Sequence, residues 1–409
     1  MQHPIPMTQI RPSLALFGTI AFAACSIGQS DRVSTTDSTS SPPAQRADAR
    51  KGANDGTFSI GVGATPGKPG FEGVTRGLQL AVERLNADAA DAVRFTVATP
   101  AAATSAVQIA QQLRDDPNVI AVVGHPESGT SLEVIPVYAD VEHAGANAVV
   151  AISPTASSPN LSGISPWFFR VAPSDHEAAR LVARYVADSL GAETVAIVYR
   201  NDSYGRDWSA RFTETFSGKT GTVLARLPYL TGITEWKAYA LQLKRLAPQV
   251  LLFPGDADDA TAMLRELKAN DVRLTFIGGD GTEGIARTHE FPEAKYAAFY
   301  LPERATWPEG KRFVDSYRTR FNEAPDMFSA LSYDAALAIG RTVIAGARTR
   351  KTLRDKLERI TDATALDGAG GKIAFDAQHD VTGRTIVIAT VGTGNAPAAT
   401  NAANRGGKK

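Results

Sequence analysis

Val122–Glu133 reads VVGHPESGTSLE: the end of an apolar run, a glycine, a polar loop, then the start of a helix. A strand that passes through a polar loop into a helix is half of a strand–helix–strand unit, and such units build parallel sheets. Ser128, Gly129, Thr130 and Ser131 sit at the junction and have two readings. Ser and Thr cap helices by accepting a backbone N–H. Alternatively, the N–H groups of the first turn hold an anionic ligand. The choice turns on what the other strand ends carry.

Working outward, the same unit recurs. Phe58–Ala64 (FSIGVGA) is a strand, and the helix after it puts Val74, Leu78, Ala81, Val82 and Leu85 on one face. Next come strand VRFTVAT from Val93, a helix over Ala106–Leu113, strand NVIAVVG from Asn118, a helix over Ser131–Glu142 and strand NAVVAIS from Asn147. The second half repeats the scheme. Strand TVAIVY from Thr194 precedes a helix around Asp207–Phe216, QVLLF from Gln249 precedes helix Ala257–Ala269, and LTFIGG starts at Leu274. Nearly continuous apolar strands alternating with helices imply parallel sheets covered on both faces. The alternation runs too long for one compact sheet, so the expected fold is α/β with two Rossmann-like lobes. FFRVAPSD (Phe168–Asp175) and AAFYLPE (Ala297–Glu303) read as crossings between them. No self-similar repeat marks a solenoid.

Polar clusters follow five of these strands: HPESGTS from His125, PTASS from Pro154, RNDSYG from Arg200, PGDAD from Pro254 and DGTEG from Asp280. Open parallel sheets bind ligands beyond the carboxyl ends of their strands. Each cluster taken singly is adequately explained as a helix cap. Together they describe one cleft lined from two facing lobes, where small-molecule sites concentrate.

The chain has 409 residues, 43% of them hydrophobic, enough for two domains with a sizeable core. Its 43 basic and 43 acidic residues balance, without the basic excess of a nucleic-acid-binding protein. Near the amino terminus, Arg11 precedes LALFGTIAFAAC, an apolar segment of signal-peptide length that ends at Cys25, the only cysteine. FAAC resembles a lipoprotein signal with Phe22 in place of the usual Leu; residues 1–24 then form a signal peptide and Cys25 is lipidated. Residues 25–56 are rich in Ser, Thr, Asp and Pro, the composition of a flexible tether. A lipid, a tether and a globular body hold a domain at a membrane surface. The tail 396–409 is expected to be disordered.

The body, from about Thr57 to about Val391, resembles the type I periplasmic binding proteins, specifically the branched-chain amino-acid (Leu/Ile/Val) receptors of ABC transporters. The resemblance is carried by GATPGKPGFEGVTRGLQLAVERLN, VVGHPESGTS, AISPTASSPNLS, FFRVAPSD, YRNDSYG and FDAQHDVTG, in that order. It implies three crossings, the third near Gly371–Phe375, with lobe 1 formed by 57–171 plus 304–372 and lobe 2 by 172–303 plus 373–395. It also implies roles. Ser128, with N–H groups of Gly129 and Thr130, would bind an α-carboxylate. The Thr155 carbonyl and Ser157 hydroxyl would help hold the α-amino group, Tyr204 would touch the ligand, Asp280 would pair with its ammonium, and Phe71 would cover it. Asp256 stands where some relatives have Tyr; with Asp280 it would suit a second positive group on the ligand or a water-filled pocket. Pro100 and Ala101 replace an Asp common among relatives, and a cysteine pair of some relatives is absent, Glu127 standing near one of its positions.

Enzyme signatures are missing. His3, His125, His143, His176, His289 and His379 form no metal-ligand spacing, and no G-x-S-x-G elbow or G-x-x-x-x-G-K-[ST] loop occurs. GVGATPG lacks the third glycine of a dinucleotide loop, Asp256, Asp258 and Asp259 read as a solvated helix start, and His125 with Ser128 has no third triad member. The expectation is an exported, membrane-tethered monomer that captures an amino acid or similar polar molecule between its lobes for an ABC permease, without cofactor, metal or nucleic acid. The alternative is a lipoprotein of the same fold that regulates a cell-envelope partner.

Overall fold

The computed structural model describes residues 56–392, apart from 90–92, 102, 104, 220 and 234. The signal segment 1–24, Cys25 and its tether as far as residue 55, and the tail 396–409 lie outside the described residues. Among the described residues no helix is long and apolar enough to cross a membrane.

Two mainly parallel sheets form the core, as expected. The first holds β1 (Thr57–Gly63), β2 (Arg94–Ala98), β3 (Val119–Gly124), β4 (Val150–Ser153) and β5 (Phe168–Arg170) in the order β2-β1-β3-β4-β5, all parallel. The second holds β6 (Thr194–Arg200), β7 (Thr222–Tyr229), β8 (Val250–Phe253), β9 (Thr275–Gly278), β10 (Lys295–Ala298) and β13 (Val387–Thr390), in the order β13-β10-β9-β8-β6-β7. Only β13 runs antiparallel. A hairpin of β11 (Leu366–Asp367) and β12 (Lys372–Ile373) stands apart. In each sheet the strand order reverses once, between β1 and β3 and between β6 and β8. Such switch points leave a crevice beyond the strand ends.

Helices α1 (Phe71–Asp88), α2 (Ala106–Asp115) and α3 (Ser128–Tyr138) cover the first sheet; α4 (Asp175–Arg184), α5 (Ser203–Ser217), α6 (Trp236–Leu246) and α7 (Ala257–Ala269) belong with the second. The stripe read on α1 is buried in full. Three further helices, α8 (Pro308–Phe321), α9 (Met327–Ile344) and α10 (Arg350–Leu357), return to the first lobe. The close packing of α1 on α9 depends on glycine: a Cβ on Gly77 would lie 2.2 Å from the Ser329 carbonyl oxygen.

Two boundaries differ from the sequence reading for one reason. The helix expected over Ser131–Glu142 starts at Ser128 and stops at Tyr138, and the strand expected from Asn147 begins at Val150. Between them, Asp140 is fully buried with a left-handed backbone, and its carboxylate takes Arg114, His143 and the Asn147 N–H. This buried hub draws the chain out of both elements.

The chain passes between the sheets three times: after β5, after β10 and after β12. The first and third passages are joined by Arg170, fully buried, whose guanidinium makes a two-pronged contact with Asp380 at 2.7 and 2.6 Å and also donates to the Ser158 carbonyl.

Candidate functional site

A cleft of about 790 Å³ lies between the two sheets' strand ends, and all five polar loops reach it. From the first lobe come the Gly67–Arg76 segment, Ser128, Thr155 and Ser157; from the second come Tyr204, Asp256 and Asp280. Phe71 lines it as the first residue of α1. Of the residues singled out in the sequence, Gly129 and Thr130 stand back from the wall. The Thr130 hydroxyl donates to Glu127, and the two residues contribute the first turn of α3. No side chain caps that turn, so its N–H groups form an uncapped positive helix end beside the cleft.

Ser128 does more than the capping reading allows. Its Oγ accepts the N–H groups of Ser157 and Ser158 at 3.2 and 3.1 Å. A hydroxyl has two acceptor positions and one proton; with both acceptor positions used, Ser128 is held as a donor. Thr155 donates its hydroxyl to the Pro126 carbonyl at 2.8 Å. The Ser157 hydroxyl, 1% exposed, makes no hydrogen bond.

Opposite stands an acidic pair. Asp280 is 3% exposed and accepts the Tyr204 hydroxyl at 2.9 Å, while Tyr204 in turn accepts the Gly281 N–H. Asp175, which the sequence reading treated only as the end of a crossing, is fully buried, and neither carboxylate oxygen has a hydrogen-bond partner. Burial pushes Asp175 well above the usual carboxylate range, and the Asp280 charge adds to this, tempered by Ser157 and Arg170. Burial raises Asp280 to about 6, restrained by the bond from Tyr204. The two titrate as a pair. Asp175 stands outside the cleft lining; Asp280 lines it and is the carboxylate placed to meet a ligand cation.

Asp256 does not act as a second free acid. It pairs with Arg200 at 2.5 Å, and Arg200 also holds Asp202. Arg200 is the final residue of β6 and buried; the sequence reading missed it because its partner lies 56 residues away. The lone histidine of the serine loop, His125, is 1% exposed, bonded to the Tyr138 hydroxyl and lowered by burial to about 3, so it is a neutral packing residue. Among the described residues no group of three or more His, Cys, Asp or Glu could hold a metal.

The cleft is bridged at both rims. Asp207 of α5 takes the Ser158 hydroxyl and the Asn160 amide. On the other rim Arg287 pairs with Asp326 at 2.5 Å, and Glu283 accepts the Met327 N–H at the start of α9.

The acidic pair has a measurable consequence. Its folded-state pKa values lie above the unfolded value of 3.8, so burial of the protonated form favours folding. For Asp280 that contribution is complete below the unfolded value and is lost as pH rises through about 6. The charged groups facing the pair are Arg170, Arg200 and Asp207. The unliganded protein should therefore gain stability between about pH 7 and about pH 5, and Asp280→Asn should shrink that gain. Paired melting curves check this; an identical gain in the variant contradicts it.

A family model described as periplasmic binding protein matches residues 61–396. An amino acid binding protein of Pseudomonas aeruginosa is 26% identical over 235 residues, which span 56% of this chain and 60% of that protein. Among solved structures, the branched-chain amino acid transporter substrate binding protein of Streptococcus pneumoniae, in complex with isoleucine, is similar with a TM-score of 0.73 at 22% identity, covering 82% of this chain and 96% of the other. A solute binding protein of an ABC transporter from R. palustris, in complex with benzoate, is similar with a TM-score of 0.71 at 16% identity, covering 83% and 94%.

Proposed function

Because the chain belongs to the periplasmic binding protein family, a family of solute-binding proteins rather than enzymes, we propose that it captures an amino acid in the interlobe cleft and delivers it to an ABC permease. One observation carries the choice of ligand: an oriented donor on one wall stands against the buried carboxylate of Asp280 on the other. An amino acid is a zwitterion, with an anion and a cation on neighbouring atoms. The Ser128 hydroxyl and the uncapped turn of α3 suit the carboxylate. Asp280, which lines the cleft, suits the ammonium. An aromatic acid, of the kind in the R. palustris structure, brings only the anion and would leave Asp280 without a ligand cation.

The three passages between lobes let them close on the ligand as rigid bodies, and closure is the signal the permease reads. Export, acylation of Cys25 and tethering through residues 25–56 complete the proposal; they rest on the signal-like segment and the polar composition that follows it.

The test is a thermal-shift screen of the purified body against the amino acids and against benzoate. Stabilisation by one or a few amino acids and none by benzoate supports the proposal. A response to benzoate alone overturns the amino-acid reading, and a flat screen favours the partner-regulating alternative.

A further inference from the structure

We infer that the ligand is a basic amino acid, carrying a second positive charge on its side chain, and that Glu283 selects it. The inference rests on the amino-acid reading of the cleft and goes beyond it.

The cavity is far larger than an amino-acid head group requires. Beyond Ser128 and Asp280 it extends between the Gly67–Arg76 segment, the Asp326–Phe328 turn and the 3₁₀ helix Asp280–Arg287. This distal half receives the side chain.

Charge decides what that side chain is. Eight acidic and four basic residues line the cleft. All three arginines are already engaged: Arg76 with Glu323 at 2.9 Å, Arg200 with Asp256, and Arg287 with Asp326. A ligand anion in the distal half would have to break one of these pairs. Lys68, the remaining base, is exposed at the rim. On the acidic side, Glu283 is half-buried, and its hydrogen-bonding partner among the described residues is the main-chain N–H of Met327. Burial, with the Asp326 charge added and Arg287 opposing, pushes the Glu283 carboxyl well above the usual carboxylate range, so it lacks a compensating cation, and a ligand cation beside it would favour its charged form.

Geometry places this charge at the right reach. In a 3₁₀ helix, residues three apart eclipse, separated by a rise of about 6 Å. Asp280 and Glu283 stand in that relation on one 3₁₀ helix. One acid takes the α-ammonium, and the other meets a cation at the end of a short aliphatic stem. Phe71, Met327 and Phe328 line the same region, and apolar and aromatic surface suits both the stem and the cation. At the proximal end the Ser157 hydroxyl, which lines the cleft at 1% exposure, has no hydrogen-bond partner among the described residues.

Calorimetric titration of lysine, arginine, leucine and norleucine into wild type and Glu283→Gln tests the assignment. Glutamine keeps an oxygen for the Met327 N–H while removing the charge, and the unliganded melt of the variant verifies folding. The expected result is binding of lysine or arginine at least about 10-fold tighter than norleucine, with the ratio falling to about 3-fold or less in the variant. Norleucine or leucine binding as tightly as the basic amino acids, or a ratio unchanged in Glu283→Gln, overturns the inference and leaves the amino-acid reading standing. Failure of all four to bind wild type, in a protein that the wider screen also finds unresponsive to amino acids, removes both.

Discussion

Asp280→Ala weakens amino-acid binding by about 3–5 kcal/mol, roughly two to four orders of magnitude in Kd. The size of the effect follows from burial. At 3% exposure the carboxylate works in a medium where water screens little, so the ligand ammonium gains most of its compensation from it. Asp280→Asn separates charge from shape, because the amide oxygen can still accept the Tyr204 hydroxyl that Asp280 now takes. Both variants should lose affinity, the alanine variant more. Calorimetry at about pH 7, above the value of about 6 to which burial raises Asp280, is the measurement. An Asp280→Ala protein that binds within about threefold of wild type would place the ammonium elsewhere.

Asp334→Ala lowers folding stability by about 3–5 kcal/mol. Asp334 lies on α9 and is fully buried; it accepts the Ala369 and Gly370 N–H groups and pairs with Arg384 at 2.6 Å. Arg384 sits on the third passage between lobes, its side chain 2% exposed, with Nε and one terminal nitrogen unbonded. Asp334 is therefore its sole anchoring anion. Without it a guanidinium remains buried and uncompensated, together with two N–H groups that lose their acceptor. Replacing both members with apolar residues of similar volume, Asp334→Leu with Arg384→Met, removes the buried charge and should recover a large part of the loss. Urea unfolding of the three proteins measures this. A single variant within about 1 kcal/mol of wild type, or a double variant no better than the single, contradicts the account.

Much of the fold was open to reading along the chain. β3 and β8 are short runs of Val, Ile, Leu and Phe buried on both faces, and that pattern is local. α1 shows its stripe because one side meets the sheet and the other meets solvent. α9 shows none, since 15 of its 18 residues are buried and no polar side exists to break the run. The same contrast holds in the site. The polar loops stand out because they follow apolar strands, and the resemblance to the Leu/Ile/Val receptors points to Ser128, Tyr204 and Asp280 within them. Asp175 was passed over because an acid just after Ser174 at a helix start reads as ordinary N-terminal chemistry.

The sequence by itself determined the alternation of strands and helices, the two-sheet architecture and the loops at the strand ends, all set by side chains a few residues apart. Only the tertiary structure decided which charges are spent and which are available. Arg200 cancels Asp256, whereas Asp175 and Asp280 meet with no cation bonded to either carboxylate. The physical reason is that the energy of a charge depends on what replaces its water. That is a property of packing between segments distant in the chain, and no local pattern encodes it.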